Sequence, residues 1–526
     1  MKQLTGLAVL VVLTMTACPP TGVVCKPGTL PCGTGCIDPL ADRRNCGACA
    51  NTCLTNQDCA ADQGVAACVC RPGSELCNGA CVVKSSDPAN CGGCGVACAA
   101  GQVCSDGACA AACEAGKTRC DASCVDVTTD VANCGVCGVV CAQGQQCLSG
   151  VCEFAAVAAC YWSGQVVGFD PATGVRGALS DVGSNPGALA RIGATVLAAD
   201  GTDNRVYVAV PATAGGFAQA SHATTTGNVP NQLVLDGEYV YVANAGTGSL
   251  QVLKQGVDAG VVQLSEGVAS SLVLGTVAEL PLGMNTFPQG AVKVGSTLWV
   301  PLYGGVGADA ADAGQALQAI DVTDRDAPVL AGRVSLKELD LKAFDGGAPV
   351  ARPWSIAALN GVLYVALSNL NPDSYAAEGP GLLARVVPED GGVSAIDLGG
   401  DECLNPQWVT VVGDALAVSC GGRVEYDSNF VALSVAASGV VLVRNDARAA
   451  VWNGATCVGA DAGTCKPLMP GRMTTSGTRL LLADQNGGRV VTLETADGGL
   501  SEVGAALDMC PAGMSGAANV ADLISR

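Results

Sequence analysis

Closely spaced cysteines are the residues of this 526-residue chain with the clearest capacity for chemistry. In the stretch NCGGCGVACAAGQVC, Cys91, Cys94, Cys98 and Cys104 fall within fourteen residues. Cysteine pairs separated by two residues hold zinc or iron–sulfur clusters, form thioredoxin-like redox sites, or make structural disulfides. Each alternative describes a different protein, so the other cysteines must decide between them.

The same cysteine spacing occurs three times. Each copy reads C-x6-C-x3-C-x9-C-x2-C-x3-C-x5-C, followed by a last cysteine after eight residues in the first copy and four in the others. The copies use 24 of the 31 cysteines. In chain order the members are Cys25, Cys32, Cys36, Cys46, Cys49, Cys53, Cys59 and Cys68, then Cys70, Cys77, Cys81, Cys91, Cys94, Cys98, Cys104 and Cys109, then Cys113, Cys120, Cys124, Cys134, Cys137, Cys141, Cys147 and Cys152.

Structural disulfides are the favoured interpretation of these repeats. Each module has only about 43 to 45 residues and almost no bulky apolar side chains, so it needs cross-links to be stable. A zinc site would leave half of the eight thiols of a module without partners, and a thioredoxin-like site needs a βαβ context that these Gly-rich modules lack. Metal binding and redox chemistry remain the alternatives. The pairing stays open, because eight cysteines allow 105 connectivities.

Two of the copies resemble a known module. The stretches NCGGCGVACAAGQVCSDGAC (90–109) and NCGVCGVVCAQGQQCLSGVC (133–152) are similar to the stigma-specific-protein type of cysteine-rich domain. That type occurs in bacterial surface lipoproteins and in secreted plant peptides. The resemblance covers residues 25–152; the first copy, NCGACANTCLTNQDC, lacks the second Gly and the Gly-Gln pair. It implies a secreted stalk or interaction module and brings no catalytic residues.

The N-terminus has the features of an export signal. Lys2 precedes an apolar run over residues 7–13, which is too short to span a bilayer as a helix. Met15-Thr16-Ala17-Cys18 resembles the lipobox of bacterial lipoproteins, with Met15 where Leu is usual. The resemblance implies a signal peptide over 1–17, lipidation of Cys18 and a tether over 18–24. The alternative is an ordinary signal peptide cut elsewhere. In either case we expect the protein to lie outside the cytoplasm. The lipid-anchored form would be located at the bacterial outer membrane or cell surface.

Charge and histidine content exclude several function classes. The net charge is −20, of which −16 belongs to residues 154–526, so nucleic acid and anionic lipid headgroups are poor partners. His222 is the single histidine, which removes sites that need several; we interpret it as a surface loop residue. The oxygen-rich stretches 321–326 and 369–374 lack the spacing of a calcium loop and indicate turns. No catalytic, cofactor-binding or metal site is expected.

From residue 154 onwards a second motif repeats. It consists of a proline, an apolar strand, a turn centred seven residues after the proline, and another apolar strand, which together predict a hairpin. Five of the six copies place Gly in the turn, and the fourth copy has Asn360-Gly361. The copies begin at Pro186, Pro230, Pro288, Pro353, Pro406 and Pro470.

This period predicts an all-β fold with a β-propeller over 154–526, after cysteine-rich repeats over 25–69, 70–112 and 113–153. Stretches 239–253 and 317–336 resemble the YVTN and LVIVD types of extracellular propeller repeat. We predict seven blades, with six as the alternative. The last blade is shared by both termini: residues 510–526 supply two strands and residues 158–171 the others.

The remaining cysteines are expected to form disulfides inside the propeller. Cys160 and Cys510 would clasp the ring where the chain ends meet. Cys403 and Cys420 flank the turn at Gly413 and would bridge one hairpin. The last pair, Cys457 and Cys465, would close a small loop.

Two classes of function follow from this organisation. The first is a lipid-anchored surface protein whose propeller is a non-enzymatic binding or scaffold module, with an unknown protein or glycan ligand. The second is an extracytoplasmic propeller enzyme, either a lactonase or a quinoprotein-like hydrolase or oxidoreductase. The motif strands show no recurring acid or His, so the binding module is favoured and no cofactor is expected.

Overall fold

A computed structural model describes the chain as two compact units, Met1–Asp126 and Val127–Arg526. Among the described residues the regular elements are β-strands, apart from one 3-10 helix, Tyr161–Ser163. The all-β prediction is therefore confirmed. The structure describes residues 30–32, 35–37, 44–54, 57–62, 65–70, 74–141, 145–172, 174–212, 216–224, 227–256, 262–263, 272–304, 315–344, 349–371, 376–426, 432–454, 468–495, 498–504, 506–511 and 518–526.

The cysteine repeats consist of short hairpins. In one place two copies share a sheet: Val103–Ser105 of the second copy pairs in parallel with Ser123–Val125 of the third. The other pairings join neighbours in sequence. The strands are Leu30–Cys32, Gly35–Ile37, Gln57–Asp62, Val65–Cys70, Glu75–Cys77, Ala80–Val82, Val103–Ser105, Ala108–Ala110, Thr118–Cys120, Ser123–Val125, Gln145–Leu148 and Val151–Phe154.

The disulfides of the repeats follow one connectivity, which the spacing left open. Numbering the cysteines of a copy from one to eight, the second copy joins 1 to 3, 2 to 5, 4 to 7 and 6 to 8. Its pairs are Cys70–Cys81, Cys77–Cys94, Cys91–Cys104 and Cys98–Cys109. Among the described residues of the other copies the same positions are joined in Cys32–Cys49, Cys53–Cys68, Cys113–Cys124, Cys134–Cys147 and Cys141–Cys152. The prediction of structural disulfides is confirmed.

The glycine after the fourth cysteine of a copy is required by a close approach of two chain segments. A Cβ atom built on Gly135 would lie 2.6 Å from the carbonyl oxygen of Gly150, and Gly92 faces Gly107 in the same way. Gly92 and Gly135 also have positive φ angles, 75° and 77°, which disfavour other residues. The repeated Cys-Gly dipeptide is thus explained by packing, because the disulfides pull the two backbones together.

The described residues of 154–526 form seven sheets of four or five antiparallel strands, which we call blades 1 to 7. A further hairpin, Arg423–Tyr426 with Ala432–Ala436, is inserted in blade 5. From the inner strand outwards the strands are Pro186–Ile192, Thr195–Asp200, Arg205–Ala212, Gly216–Thr224 and Val262–Gln263 in blade 1; Pro230–Asp236, Tyr239–Asn244, Ser249–Gln255 and Leu274–Pro281 in blade 2; Val292–Val294, Thr297–Leu302, Ala316–Asp321 and Val329–Ser335 in blade 3; Pro353–Leu359, Val362–Leu367, Leu382–Val386 and Val393–Asp397 in blade 4; Pro406–Val412, Ala415–Cys420, Gly439–Arg444 and Ala447–Asn453 in blade 5; Pro470–Ser476, Arg479–Asp484, Arg489–Glu494 and Ser501–Glu502, with Leu507–Asp508 also paired to the third of these, in blade 6; and Val520–Ser525, Ala156–Cys160, Gln165–Phe169 and Ser180–Asp181 in blade 7.

The hydrophobic core lies between the blades. Seven clusters of buried side chains each join two neighbouring blades, and their order closes from blade 7 back to blade 1. In Ala156–Cys160, for example, Ala158 faces the cluster shared with blade 6, and Val157 the cluster shared with blade 1. Both faces of a blade are buried, which explains the near-continuous apolar runs of the middle strands. The prediction of a β-propeller after the cysteine repeats is confirmed.

The six predicted hairpins are all present. The five turn glycines have φ angles between 58° and 63°, and Asn360 in the fourth copy has a φ of 52°. Asn tolerates this left-handed conformation better than other non-Gly residues, which accounts for the exception. In blade 3 the inner strand begins only at Val292, and Pro288 forms an isolated bridge with Leu302.

Blade 7 closes the ring with both ends of the chain, although the division differs from the prediction. One strand, Val520–Ser525, comes from the C-terminal segment and is innermost, whereas three come from residues 156–181. The prediction of two C-terminal strands is wrong. Ala156–Cys160 is apolar throughout and fits the buried second position, whereas Leu507–Asp508 pairs in blade 6.

The compact unit that contains the propeller begins at Val127, inside the third cysteine repeat. Glu153 at the end of that repeat is 2% exposed and forms ion pairs with Arg191 of blade 1 and with Arg526. Arg191 also donates a hydrogen bond of 3.0 Å to the carbonyl oxygen of Phe154. The second half of the third repeat is therefore joined to the propeller by a buried charge cluster.

Candidate functional site

Four of the predicted cysteine residues outside the repeats form two disulfides in the propeller, and the other three lie outside the described residues. Cys160 and Cys510 form a disulfide with a Cα–Cα distance of 5.2 Å, which links blade 7 to the chain just after blade 6. Cys403 and Cys420 form another, which joins the two ends of the first hairpin of blade 5. The others, Cys18, Cys457 and Cys465, lie outside the described residues. In the part of the chain that the structure describes, no helix has the length and apolar character needed to cross a membrane.

Sulfur atoms do converge in each repeat, in a way that resembles a metal site. In the second copy the sulfurs of Cys91, Cys98 and Cys109 lie within 4.8 Å of one another. Cys98 and Cys109 are bonded to each other, and Cys91 is bonded to Cys104. Metal ligation needs free thiolates, so this cluster is two disulfides lying side by side. The other two copies contain equivalent groups.

His222 is not a surface loop residue, so that prediction is wrong. It lies in the strand Gly216–Thr224, is 4% exposed, and has its ring 5.7 Å from that of Tyr207 on the neighbouring strand. Burial lowers its pKa, and the charge of Arg205 adds to this effect. Its burial against the ring of Tyr207 and its lowered pKa indicate a packing role.

The oxygen-rich stretch at 321–326 forms turns, as predicted. Asp321 Oδ1 accepts a hydrogen bond of 2.8 Å from the backbone N–H of Thr323. Asp324 Oδ1 likewise accepts one of 3.1 Å from the backbone N–H of Asp326. Asp326 is in turn 3.2 Å from Lys254. In the other stretch, Asn369 is buried and donates to two backbone carbonyls, and residues 372–375 lie outside the described residues.

A cavity of about 400 Å³ runs between the inner strands of the propeller. Its wall combines aliphatic side chains with the hydroxyls of Ser355, Thr410 and Thr474 and the carboxylate of Asp522. Every blade contributes lining residues, so the cavity is the central channel.

A second pocket, of about 190 Å³, lies where the inner strands begin; we call it the mouth pocket. Its lining combines four side-chain amides, two aromatic side chains and one guanidinium. Small residues at two positions leave its interior open. The lining residues are Tyr161, Gly187, Asn231, Trp354, Gln407, Arg472, Gln485, Asn519 and Ala521.

Two glycines make room for the amides of the mouth pocket. A Cβ atom on Gly421 would lie 2.6 Å from the side-chain nitrogen of Gln407, and one on Gly471 would lie 2.5 Å from that of Gln485. Larger residues at these glycines would push the amides away from their positions. The arrangement therefore depends on Gly421, directly after the second strand of blade 5, and on Gly471, in the inner strand of blade 6.

The guanidinium of Arg472 is held between the channel and the mouth pocket. It is 3.1 Å from Asp522, donates to Gln232 Oε1 at 2.8 Å and to the carbonyl oxygen of Asn231 at 2.6 Å, and lies over the ring of Trp408. Its positive charge is therefore balanced within the protein.

Asp522 is deeply buried on the innermost strand of blade 7. Burial raises the pKa of its carboxyl group, and the charge of Arg472 partly offsets this effect. The carboxylate also accepts hydrogen bonds from the backbone N–H groups of Leu189 and Leu523, at 2.7 and 2.8 Å. These partners span blades 1, 6 and 7, so the pair connects the blades at the point of closure.

Sequence reasoning missed the mouth pocket, although the repeat contained a signal for it. Asn231, Trp354 and Gln407 each directly follow the proline of their motif copy, and Arg472 follows its proline by two positions. Because the motif proline starts the inner strand in these blades, the next residue lies at the end of the channel. A polar or aromatic residue after the motif proline therefore marks the mouth.

Comparison with known proteins supports the cysteine-rich module. Residues 106–155 match the model of the Stigma-specific STIG1-like protein family. The match covers the third repeat and agrees with the resemblance drawn from its motif. No curated protein is significantly similar in sequence.

Solved structures that align with the chain are similar at low identity. A provisionally assigned 6-phosphogluconolactonase from Bacteroides fragilis is 14% identical, with 67% of this chain and 94% of that chain covered and a TM-score of 0.45. Apo AztD from Citrobacter koseri is 12% identical, with 70% and 97% covered and a TM-score of 0.41. A virginiamycin B lyase from Staphylococcus aureus is 12% identical, with 60% and 83% covered and a TM-score of 0.38.

Proposed function

We propose that this chain is an extracytoplasmic lipoprotein whose β-propeller, of the YVTN/LVIVD-like type, is a non-enzymatic binding module. Cys18 anchors it by lipid at the bacterial outer membrane or cell surface, and the disulfide-bonded repeats form the stalk. The density of disulfides supports the compartment, because such bonds persist outside the cytoplasm. We place the ligand in the mouth pocket.

The composition of the mouth pocket carries the proposal. Amide side chains bind by hydrogen bonds and neither take up nor release protons near neutral pH. Burial raises the pKa of the Tyr161 phenol, and the nearby Asp200 carboxylate adds to this effect, so the phenol stays neutral. Arg472 is already paired with Asp522. Such a set of groups suits recognition better than proton transfer or nucleophilic attack.

Whether the protein leaves its ligand unchanged or converts it distinguishes a binding module from an enzyme. The mature chain is screened by thermal shift against lactones, sugars and short peptides, because a ligand at 100 times its Kd stabilises the folded state by about 2.7 kcal/mol. Compounds that raise the Tm are then incubated with the protein and recovered for mass spectrometry. We expect unchanged ligand. Conversion at a rate that the variant Trp354→Ala abolishes would establish the enzyme alternative.

The anchor is tested separately from the ligand. Changing Cys18 to Ser removes the acceptor for lipid, so we expect the protein to move from the detergent phase to the aqueous phase on partitioning and to leave the membrane fraction. Identical partitioning of Cys18→Ser and the unaltered protein would show that the signal peptide is of the ordinary kind. The binding proposal does not depend on this result.

A further inference from the structure

The mouth pocket contains hydrogen-bond acceptors that the protein leaves without partners. Gln407 is 9% exposed, and its Oε1 atom has no hydrogen-bond partner among the described residues; Asn519 Oδ1 is in the same state. A buried acceptor without a partner costs about 1–3 kcal/mol. Both residues line the pocket, but these two oxygen atoms are closed to solvent, so a ligand that donates hydrogen bonds there would relieve the cost by turning the amides towards it.

The two aromatic rings of the pocket are held in fixed orientations. Tyr161 packs against Trp162 in an edge-to-face arrangement at 4.9 Å between ring centroids, and Trp354 packs against Tyr303 in the same way at 4.8 Å. Tyr161 and Trp354 are themselves only half-buried. Fixed, accessible rings can pack against the C–H faces of a ligand with little loss of conformational entropy.

The charges near the pocket favour an uncharged ligand. Arg472 is the charged residue among those that line it, and its charge is balanced by Asp522. The propeller region, residues 154–526, has 19 basic and 35 acidic residues, a net charge of −16 that repels anions. A cation would need a free carboxylate in the pocket, and its described lining residues include none.

The size and shape of the pocket limit the ligand to about one ring. Its volume of about 190 Å³ is below the range of roughly 300–1,000 Å³ typical of sites for drug-sized ligands. Gly187 keeps the space beside Tyr161 open, since the ring atom Cε2 is the nearest neighbour that a Cβ atom would meet, at 3.9 Å.

We infer that the mouth pocket binds an uncharged sugar ring, the terminal residue of a neutral glycan. Neighbouring hydroxyls of a sugar donate and accept together, as the amides of Asn231, Gln407, Gln485 and Asn519 do. The C–H face of the sugar packs on Tyr161 or Trp354. This inference rests on the proposed binding function and specifies its ligand class.

The test measures binding of defined sugars to the full mature chain. The probes are the methyl glycosides of glucose, galactose and mannose and N-acetylglucosamine, with glucuronate and glucosamine as charged counterparts of similar size. Saturation-transfer NMR and titration calorimetry report the binding. We expect at least one neutral sugar to bind with a millimolar or tighter Kd, and the charged counterparts to bind at least tenfold more weakly.

Two variants locate the binding, and a third serves as the matched control. Gln407→Met removes the unpartnered acceptor at similar volume, and Gly187→Val fills the pocket without a clash, because little lies near its Cβ position. Each should weaken binding about tenfold or more, as expected for loss of a buried hydrogen bond or of space. Gln255→Met, at the partly exposed end of the third strand of blade 2, should leave the Kd unchanged.

The outcomes separate this inference from the proposed function. Absence of binding by every sugar, binding that Gln407→Met and Gly187→Val do not change, or equal binding of the charged counterparts would overturn the sugar assignment. If a lactone or peptide from the thermal-shift screen binds and both variants weaken it, the pocket remains a binding site and only the ligand class is wrong. If a ligand binds but neither variant affects it, the mouth pocket itself is excluded.

Discussion

In the second cysteine repeat the buried side chains are mainly sulfurs, with Cys91 and Cys104 almost fully inaccessible and Leu76 and Val96 more than half exposed. In the propeller the buried side chains are Val, Leu and Ala from middle strands such as Tyr239–Asn244. The repeats are too small to bury enough apolar surface, so covalent bonds restrict their unfolded state instead. The propeller buries both faces of every blade and gains its stability from packing. The two regions should therefore respond differently to the same perturbation.

Reduction of the disulfides should produce the largest difference. We expect reducing agent to abolish the structure of the cysteine repeats, since each module depends on several bonds worth about 2–5 kcal/mol apiece. The propeller should stay folded at room temperature because its clusters contain few disulfides. Limited proteolysis of the reduced chain, followed by mass spectrometry, checks this.

The expected product of that digestion is a resistant fragment that begins near residue 127 or 154. The non-reduced chain is the control and should resist cleavage in both regions. Protease-resistant repeats in a sample whose thiols have all been titrated would show that their packing alone is sufficient.

Removing Arg472 should be the most damaging single change in the propeller. Arg472→Met leaves the Asp522 carboxylate buried without its counter-charge, and such a change costs about 3–5 kcal/mol. The double variant Arg472→Met/Asp522→Leu should recover most of the loss. Denaturant unfolding followed by tryptophan fluorescence measures both. Equal instability of the single and double variants would mean that the packing of Arg472 matters more than its charge.

The same variant should depend on pH in a defined direction. The folded-state pKa of Asp522 lies above its unfolded value of about 3.9. The folded protein therefore holds the proton over a range in which the unfolded chain has lost it, and stability falls as pH rises through that range. Without Arg472 this range widens upward, so Arg472→Met should lose less stability at pH 5 than at pH 8. A deficit independent of pH would contradict the linkage.

Opening the Cys160–Cys510 disulfide should weaken the propeller without unfolding it. The bond closes a loop with a sequence separation of 350, and native disulfides contribute about 2–4 kcal/mol. We expect Cys160→Ser/Cys510→Ser to lower the Tm of the propeller transition in calorimetry, with the cysteine-repeat transition unchanged. The matched control is Cys403→Ser/Cys420→Ser, which opens a much shorter loop of separation 17 and should cost less.

The hairpin turns offer the smallest test, which concerns backbone conformation alone. Gly193 has a φ of 58° and open space around its Cβ position. Gly193→Val should cost about 1–2 kcal/mol, because β-branched residues disfavour the left-handed region. Gly193→Asn should cost only a few tenths, as Asn360 tolerates the equivalent position in blade 4. Equal costs for the two variants, measured by denaturant unfolding, would contradict the turn explanation.

Local signals predicted much of this fold. The motif proline and the glycine seven residues later located six hairpins, since both residues have a fixed backbone requirement. The cysteine spacing predicted the boundaries of the modules but not their disulfide connectivity. Which cysteines pair depends on which chain segments lie close together in the folded module. His222 was misplaced since its neighbours in sequence are polar, whereas its neighbour in space is Tyr207.

The candidate site was harder to predict than the fold. Its residues come from six blades. Gln407 and Asn519 matter because the folded structure leaves one oxygen atom of each without a hydrogen-bond partner among the described residues. A sequence shows polar residues but not whether the fold satisfies them. The residue after each motif proline can be identified from the sequence. That it lines the pocket could not be predicted, because the sequence does not show which end of the inner strand faces the opening.

The C-terminal strand Val520–Ser525 has a consequence for the order in which the protein matures. It is the innermost strand of blade 7, and it supplies Asp522 to the channel and Ala521 to the mouth pocket. During synthesis the N-terminal segments emerge first, and contacts between distant parts of a chain form late. Incomplete chains can therefore have folded cysteine modules and most blades, yet no completed pocket. Ligand binding would report that the whole chain has been made and that its last strand has closed the propeller.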